Sequence, residues 1–132
     1  MWLFTRYGFF SVSSFDKRRV AIRARARKHL EQLRHRLPFL KKYDILEDSL
    51  TDYRWRIIIP RNIWVDAVLT ITVEQRWPNF KAEAHRFCPD VRYDDCLSHI
   101  WGVMKEQGEQ WDWDAEEEAA KGKQNAARLI HK

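Results

Sequence analysis

The sequence predicts an α+β domain: an antiparallel sheet with helices packed on one face. Three observations lead there. Arg19–Arg25 and Tyr53–Ile59 alternate from residue to residue, which is the period of a strand with two different faces. Leu30, Leu33 and Leu37 recur at three and four residues, the period of an amphipathic helix. Turn and breaker residues separate these runs into the order ββαββα, with further helical material after it. One antiparallel sheet covered on one side accommodates that order. The order also equals a circularly permuted ferredoxin-like arrangement, with the last strand moved to the front.

Residues 2–7 and 9–14 are apolar or aromatic on either side of Gly8, and read as one strand with an irregularity or as a strand entering a turn. Ser13 to Arg18 supplies a polar turn, short enough for a hairpin. In the next strand Val20, Ile22 and Ala24 take one face and Arg19, Arg23 and Arg25 the other. Helix follows from Ala26 to Leu37 and stops at Pro38. Residues 43–47 suggest an edge strand and residues 48–52 a turn. The next strand sets Tyr53, Trp55, Ile57 and Ile59 against Arg54, Arg56 and Ile58.

After Pro60, Asn62 is placed to cap a second helix. Thr, Ile and Val between Leu69 and Val73 pull locally toward strand, but the length of the run favours helix. Trp77-Pro78-Asn79 breaks it, and Asn79 caps a helix over residues 80–87 whose Phe80 faces the core. Pro89 and Asp90 stop that helix. A last one runs from about Asp94 to about Gly108, with Leu97, Ile100, Trp101 and Met104 on one stripe. Residues 1–108 thus form one domain, and residues 109–132 a polar tail, helical or disordered, in which Trp111 and Trp113 can pack back.

Composition supports a packed core: 132 residues are 45% apolar, with seven Trp, seven Phe and four Tyr. No apolar run is long enough for a membrane helix, and the opening lacks the apolar stretch of a signal peptide. A cytoplasmic setting is expected, with Cys88 and Cys96 as thiols, although their spacing also permits a disulfide. The net charge of +5 is uneven. Residues 1–60 carry 14 Lys and Arg against 6 Asp and Glu, so the basic character belongs to the first half.

The opening Met1-Trp2-Leu3-Phe4-Thr5, with Gly8-Phe9-Phe10-Ser11-Val12 after it, resembles the start of a family of small uncharacterised bacterial proteins. The likeness extends through the arginine-rich strand, the Leu30/Leu33 helix, the Tyr53 to Arg56 strand, Asn79-Phe80-Lys81 and His99 with Trp101, over about residues 1–105. It implies a genuine folded domain and no particular chemistry.

Three functional classes follow, in order of expectation. The first is protein contact or self-association as a homodimer, since Trp is enriched at binding hot spots. Trp64, Trp77 and Trp101 are expected in the core, leaving Trp2 and above all Trp55, Trp111 and Trp113 as interaction residues. The second is RNA, DNA or another polyanion bound by Arg23, Arg25, Arg54 and Arg56, with Phe4, Tyr7, Phe9 or Phe10 as stacking surfaces. Third is a small enzyme. Cys96 and His99 lie three apart and Asp94 or Asp95 can orient the imidazole, yet a helical Cys is more often a small core residue. No nucleotide-binding or hydrolase signature occurs, no His or Cys spacing suits a metal, and no cofactor is expected.

Overall fold

The computed structural model describes residues 1–131, and it is an α+β protein with a five-stranded antiparallel sheet and four helices. Strands β1 (Trp2–Thr5), β2 (Gly8–Ser14) and β3 (Arg19–Ala24) form a meander, followed by α1 (Arg27–Arg36) and a single 3-10 turn at Pro38–Leu40. Then come the short β4 (Leu46–Glu47), β5 (Trp55–Pro60), α2 (Arg61–Val73), α3 (Phe80–Phe87) and α4 (Val91–Ile130). Across the sheet the order is β1-β2-β3-β5-β4, all neighbours antiparallel. The chain divides into two compact units, one spanning Met1–Asp94 and one from Asp95 onward.

Three strands therefore precede α1, where two were expected. Gly8 is the reason. Thr5 pairs with Gly8, Arg6 and Tyr7 form the turn between them, and Gly8 takes φ +138°, open to glycine alone. The Thr5 hydroxyl closes the turn by donating to the Gly8 carbonyl and accepting from the Tyr7 N–H. A Cβ on Gly8 would lie 2.2 Å from Cγ of His29 in α1, so the hairpin end packs directly against that helix.

Pleating then sorts the sheet into two faces. Val12, Ile22 and Ile57 lie side by side across β2, β3 and β5, and Val20 is paired with Ile59. With Phe10 and Ala24 they form the core together with Leu30 and Leu33 of α1, Leu37, Leu40, and Trp64 and Ala67 of α2. Both helices thus cover one face. The other carries Trp2 and Phe4 of β1, Phe9 and Ser11 of β2, Ala21 and Arg23 of β3, and Arg56 and Ile58 of β5.

Helix α2 starts at Arg61, one residue after Pro60, so Asn62 lies inside it and is not its cap. Its Thr70 and Thr72 donate to the carbonyls of Asp66 and Val68 four residues back, which settles two side chains that otherwise weaken a helix. Asn79 caps α3 as the sequence suggests, accepting from the Ala82 N–H. Helix α4 begins at Val91, ahead of Asp94, and continues through Gly108 to Ile130. On it Trp101 is exposed, against the expectation of a core residue. Cys88 is buried, Cys96 is exposed, and both are free thiols. Among the described residues, no helix is long and apolar enough to cross a membrane.

Candidate functional site

The sheet face opposite α1 and α2 is built around Phe9. Phe4 stacks on it at 4.6 Å between ring centroids, Trp2 meets it edge-on at 5.9 Å, and Tyr53 lies 6.3 Å away. Trp2 and Phe4 alternate on an edge strand with one face unburied, so their rings remain open, at 69% and 36% exposure. Tyr53 precedes β5. The sequence sets it with Trp55 and Ile57, but outside the strand it leaves that alternation and folds onto the open face instead.

Arg23 and Arg25 then lie over Tyr53, their guanidinium carbons 4.7 and 4.5 Å from its ring centroid. Arg23 donates to the carbonyl and hydroxyl oxygens of Ser11, and Arg25 to the Asp52 carbonyl. These acceptors are neutral. Neither arginine forms an ion pair among the described residues, so both charges stay uncompensated over the Tyr53 ring.

Of the four arginines picked out from the sequence, the structure thus brings Arg23 and Arg25 together with the aromatics. Arg56 sits opposite Arg23 in the register, but its side chain is mostly covered. It donates to the Thr51 hydroxyl and the Tyr53 carbonyl, with Asp48 at 3.7 Å, while its Nε is buried without a hydrogen-bond partner. Its role is to fix the loop that delivers Tyr53. Arg54 is ion-paired with Glu47 and lies against Trp55, whose other neighbour is Arg27. Trp55 itself packs partly on the core. Trp111 and Trp113, at 58% and 61% exposure, belong to α4.

At the β2–β3 turn, Asp16 accepts from the Arg18 and Arg19 N–H groups and from Arg19 Nε. Those bonds hold its carboxyl below the usual range, the Arg18 backbone contributing most. Lys17 and Arg18 are exposed there, and Arg19 lies 4.9 Å over Phe15. The turn adds a second cationic and aromatic spot.

A separate cluster went unnoticed in the sequence. Arg6, in the β1–β2 turn, is buried against Phe87, Trp77 and Tyr7, at 4.1, 4.9 and 5.2 Å. It donates to Glu83 at 2.8 Å, to Glu74 at 2.9 Å and, through Nε, to the Tyr7 hydroxyl at 3.0 Å. Tyr7 in turn donates to Glu74, which also accepts from Arg36. Burial pulls against the Arg6 charge, and the Tyr7, Glu83 and Glu74 bonds outweigh it, so the guanidinium stays charged. Burial and the bond to Glu74 push the Tyr7 phenol up; Glu74 falls below its ordinary value despite its burial, because Tyr7 and Arg6 bond to it. Only long-range folding unites Arg6 with residues 74 and 83, so no local spacing announces the cluster.

Cys96 and His99 are both exposed on α4, with no hydrogen bond between them among the described residues. His85, not His99, contacts Asp94, at 2.6 Å. Among the described residues no group of three His, Cys, Asp or Glu is placed to hold a metal ion. Compared with protein-family models, with curated proteins and with solved structures, the chain matches none.

Proposed function

We infer that this protein binds single-stranded nucleic acid on the face of its sheet opposite α1 and α2. One observation carries the reading: two arginines without carboxylate partners among the described residues lie over Tyr53 on the sheet face opposite α1 and α2, which also presents the exposed rings of Trp2 and Phe4. Trp2 and Phe4 offer π-faces on which unpaired bases stack, at about 1–3 kcal/mol per base. Arg23 and Arg25 supply the cations that meet the phosphates, and Lys17 and Arg18 lie at the β2–β3 turn, at the other end of β3. A duplex keeps its bases stacked inside and meets the cations alone, so a single strand is favoured.

The strand order β2-β3-β5-β4, with α1 and α2 on one side, supports a permuted ferredoxin-like sheet to which β1 is added at the edge. On that reading β1 widens the exposed face by its two aromatic side chains.

The test is fluorescence anisotropy with labelled ten-nucleotide single strands of RNA and DNA, and duplexes of the same sequences, at two salt concentrations. The expected result is a dissociation constant of about 1–10 μM for a single strand at low salt, weaker for duplex and weakened by salt. Trp2→Ala with Phe4→Ala should weaken single-strand binding by about 10-fold or more and leave duplex binding nearly unchanged. Equal binding of single strand and duplex, insensitive to both aromatic substitutions, would reduce the face to a nonspecific basic surface and refute the proposal.

A further inference from the structure

Helix α4 ends in a segment whose every described side chain from Glu109 onward is exposed, although it is not polar all round. Gly108, Trp111, Ala115, Ala119, Gly122, Ala126 and Leu129 advance by steps of three and four, six steps over 21 residues, a mean of 3.5. That is the period of a two-stranded coiled-coil seam. At 100° per residue these seven positions fall within an 80° arc of the helix, while Trp113 lies outside it, toward the opposite side.

Charge along the same segment divides into two blocks. Residues 106–118 contain seven carboxylates (Glu106, Glu109, Asp112, Asp114 and Glu116 to Glu118) and no base. Residues 119–131 contain Lys121, Lys123 and Arg128 and no acid. A parallel, in-register pair of such helices would set acid against acid. An antiparallel pair with its two-fold axis between Glu118 and Ala119 sets each block against its complement.

In that register the seam also matches by size. Trp111 falls opposite Ala126, Leu129 opposite Gly108, and Ala115 opposite Gly122, so each large side chain meets a small one and the axis is crossed at Ala119. Of the flanking positions, Lys123 faces Asp112 and Glu116 of the second copy, and Lys121 faces Asp114 and Glu118. The contacts within one helix that compete are the exposed i,i+4 bridges, such as Lys121 with Glu117, worth only about 0.3–0.5 kcal/mol each.

We propose that residues 106–131 of α4 pair with the same segment of a second copy as an antiparallel two-stranded coiled coil. The pairing is isologous, so each contact occurs twice. It stands independently of the sheet face and of nucleic acid.

The test is sedimentation equilibrium of the full chain with charge-swapped variants. The unaltered chain is expected to dimerise, more weakly as salt rises. Variant A, Lys121→Glu with Lys123→Glu, and variant B, with Asp112, Asp114, Glu116 and Glu118 each replaced by Lys, should each dimerise at least about 30-fold more weakly. Mixed in equal amounts, A and B should form a heterodimer, because the acidic segment of one chain complements the basic segment of the other. Crosslinking gives a second reading in a Cys96→Ser background: Ala119→Cys should oxidise to a dimer and Met104→Cys should not. A monomer at about 100 μM with α4 helical by circular dichroism, a dimer insensitive to both charge variants, no rescue on mixing, or efficient crosslinking at Met104→Cys would each overturn the proposal.

Discussion

Arg6 and Arg23 both lay a guanidinium against aromatic rings, but their surroundings oppose one another. Arg6 is enclosed, with three rings around it and the carboxylates of Glu74 and Glu83 at its nitrogens. Arg23 has one ring beneath it and Ser11 oxygens beside it, and no carboxylate bridge among the described residues. An enclosed, compensated charge can only hold its neighbours together. A half-exposed, uncompensated one retains the field that attracts an anion. In this domain the partner set, more than the residue type, separates a clasp from a binding group.

The comparison breaks first at Arg6. Arg6→Ala leaves Glu74, Glu83 and the Tyr7 hydroxyl facing a void, and should cost about 3–5 kcal/mol in urea denaturation. Single-strand affinity per folded molecule should stay within about twofold, since Arg6 does not reach the open face. The opposite pattern is expected at the sheet. Arg23→Ala with Arg25→Ala should change stability by less than about 1 kcal/mol, while weakening nucleic-acid binding about 10- to 100-fold and lowering the salt slope by about two. Arg54→Ala is the control within that experiment: its charge is already paired with Glu47, so binding should change by no more than about twofold. A double substitution at 23 and 25 that unfolds the protein would show the two clusters to be alike.

A smaller effect separates the clusters by pH. Glu74 is held below its ordinary value of 4.5 by Tyr7 and Arg6 against the pull of burial, so the folded state binds its proton less readily than the unfolded chain. Stability from this group is complete above about pH 4.5 and is lost as pH falls from there through the lowered value. His29 adds a second step. Burial, then Lys28, depress it below 6.5, and its Nδ1 accepts from the Phe9 N–H at 3.3 Å, as a neutral ring does. Its contribution is present above about pH 6.5 and declines below that. Thermal melts between pH 3 and pH 8 should therefore fall in two stages, the lower one flattened by Glu74→Gln and the upper by His29→Gln. An unaltered profile in both variants would contradict these assignments.

Much of the sheet was legible because alternation is a local property: Val20, Ile22 and Ala24 lie inward and Arg23 outward, as their order in the sequence says. Three features were not. Gly8 is compatible with a bulge or a hairpin, and only its pairing with Thr5 distinguishes them. Asn62 is a good cap residue one position too late, because Pro60 already turns the chain into the helix. Tyr53 continues the apolar alternation of β5 on paper, yet the Thr51 and Arg56 hydrogen bonds end the strand before it and place its ring on the other face. Of the candidate site, the arginines of β3 were legible. The partners that distinguish Arg23 from Arg54 come from elsewhere in the chain and were not.

The closed cluster also orders events during synthesis. Thr5 and Arg6 leave the ribosome well before their partners: Arg6 is bonded to Glu74 and Glu83, and the Thr5 carbonyl accepts from the Tyr93 hydroxyl at 2.7 Å. Strand β1 can pair with β2 at once, whereas its anchorage waits for some 90 residues to emerge. Until then an edge strand bearing Trp2 and Phe4 is held by a single hairpin, and the nascent chain carries this adhesive edge until α4 begins to form.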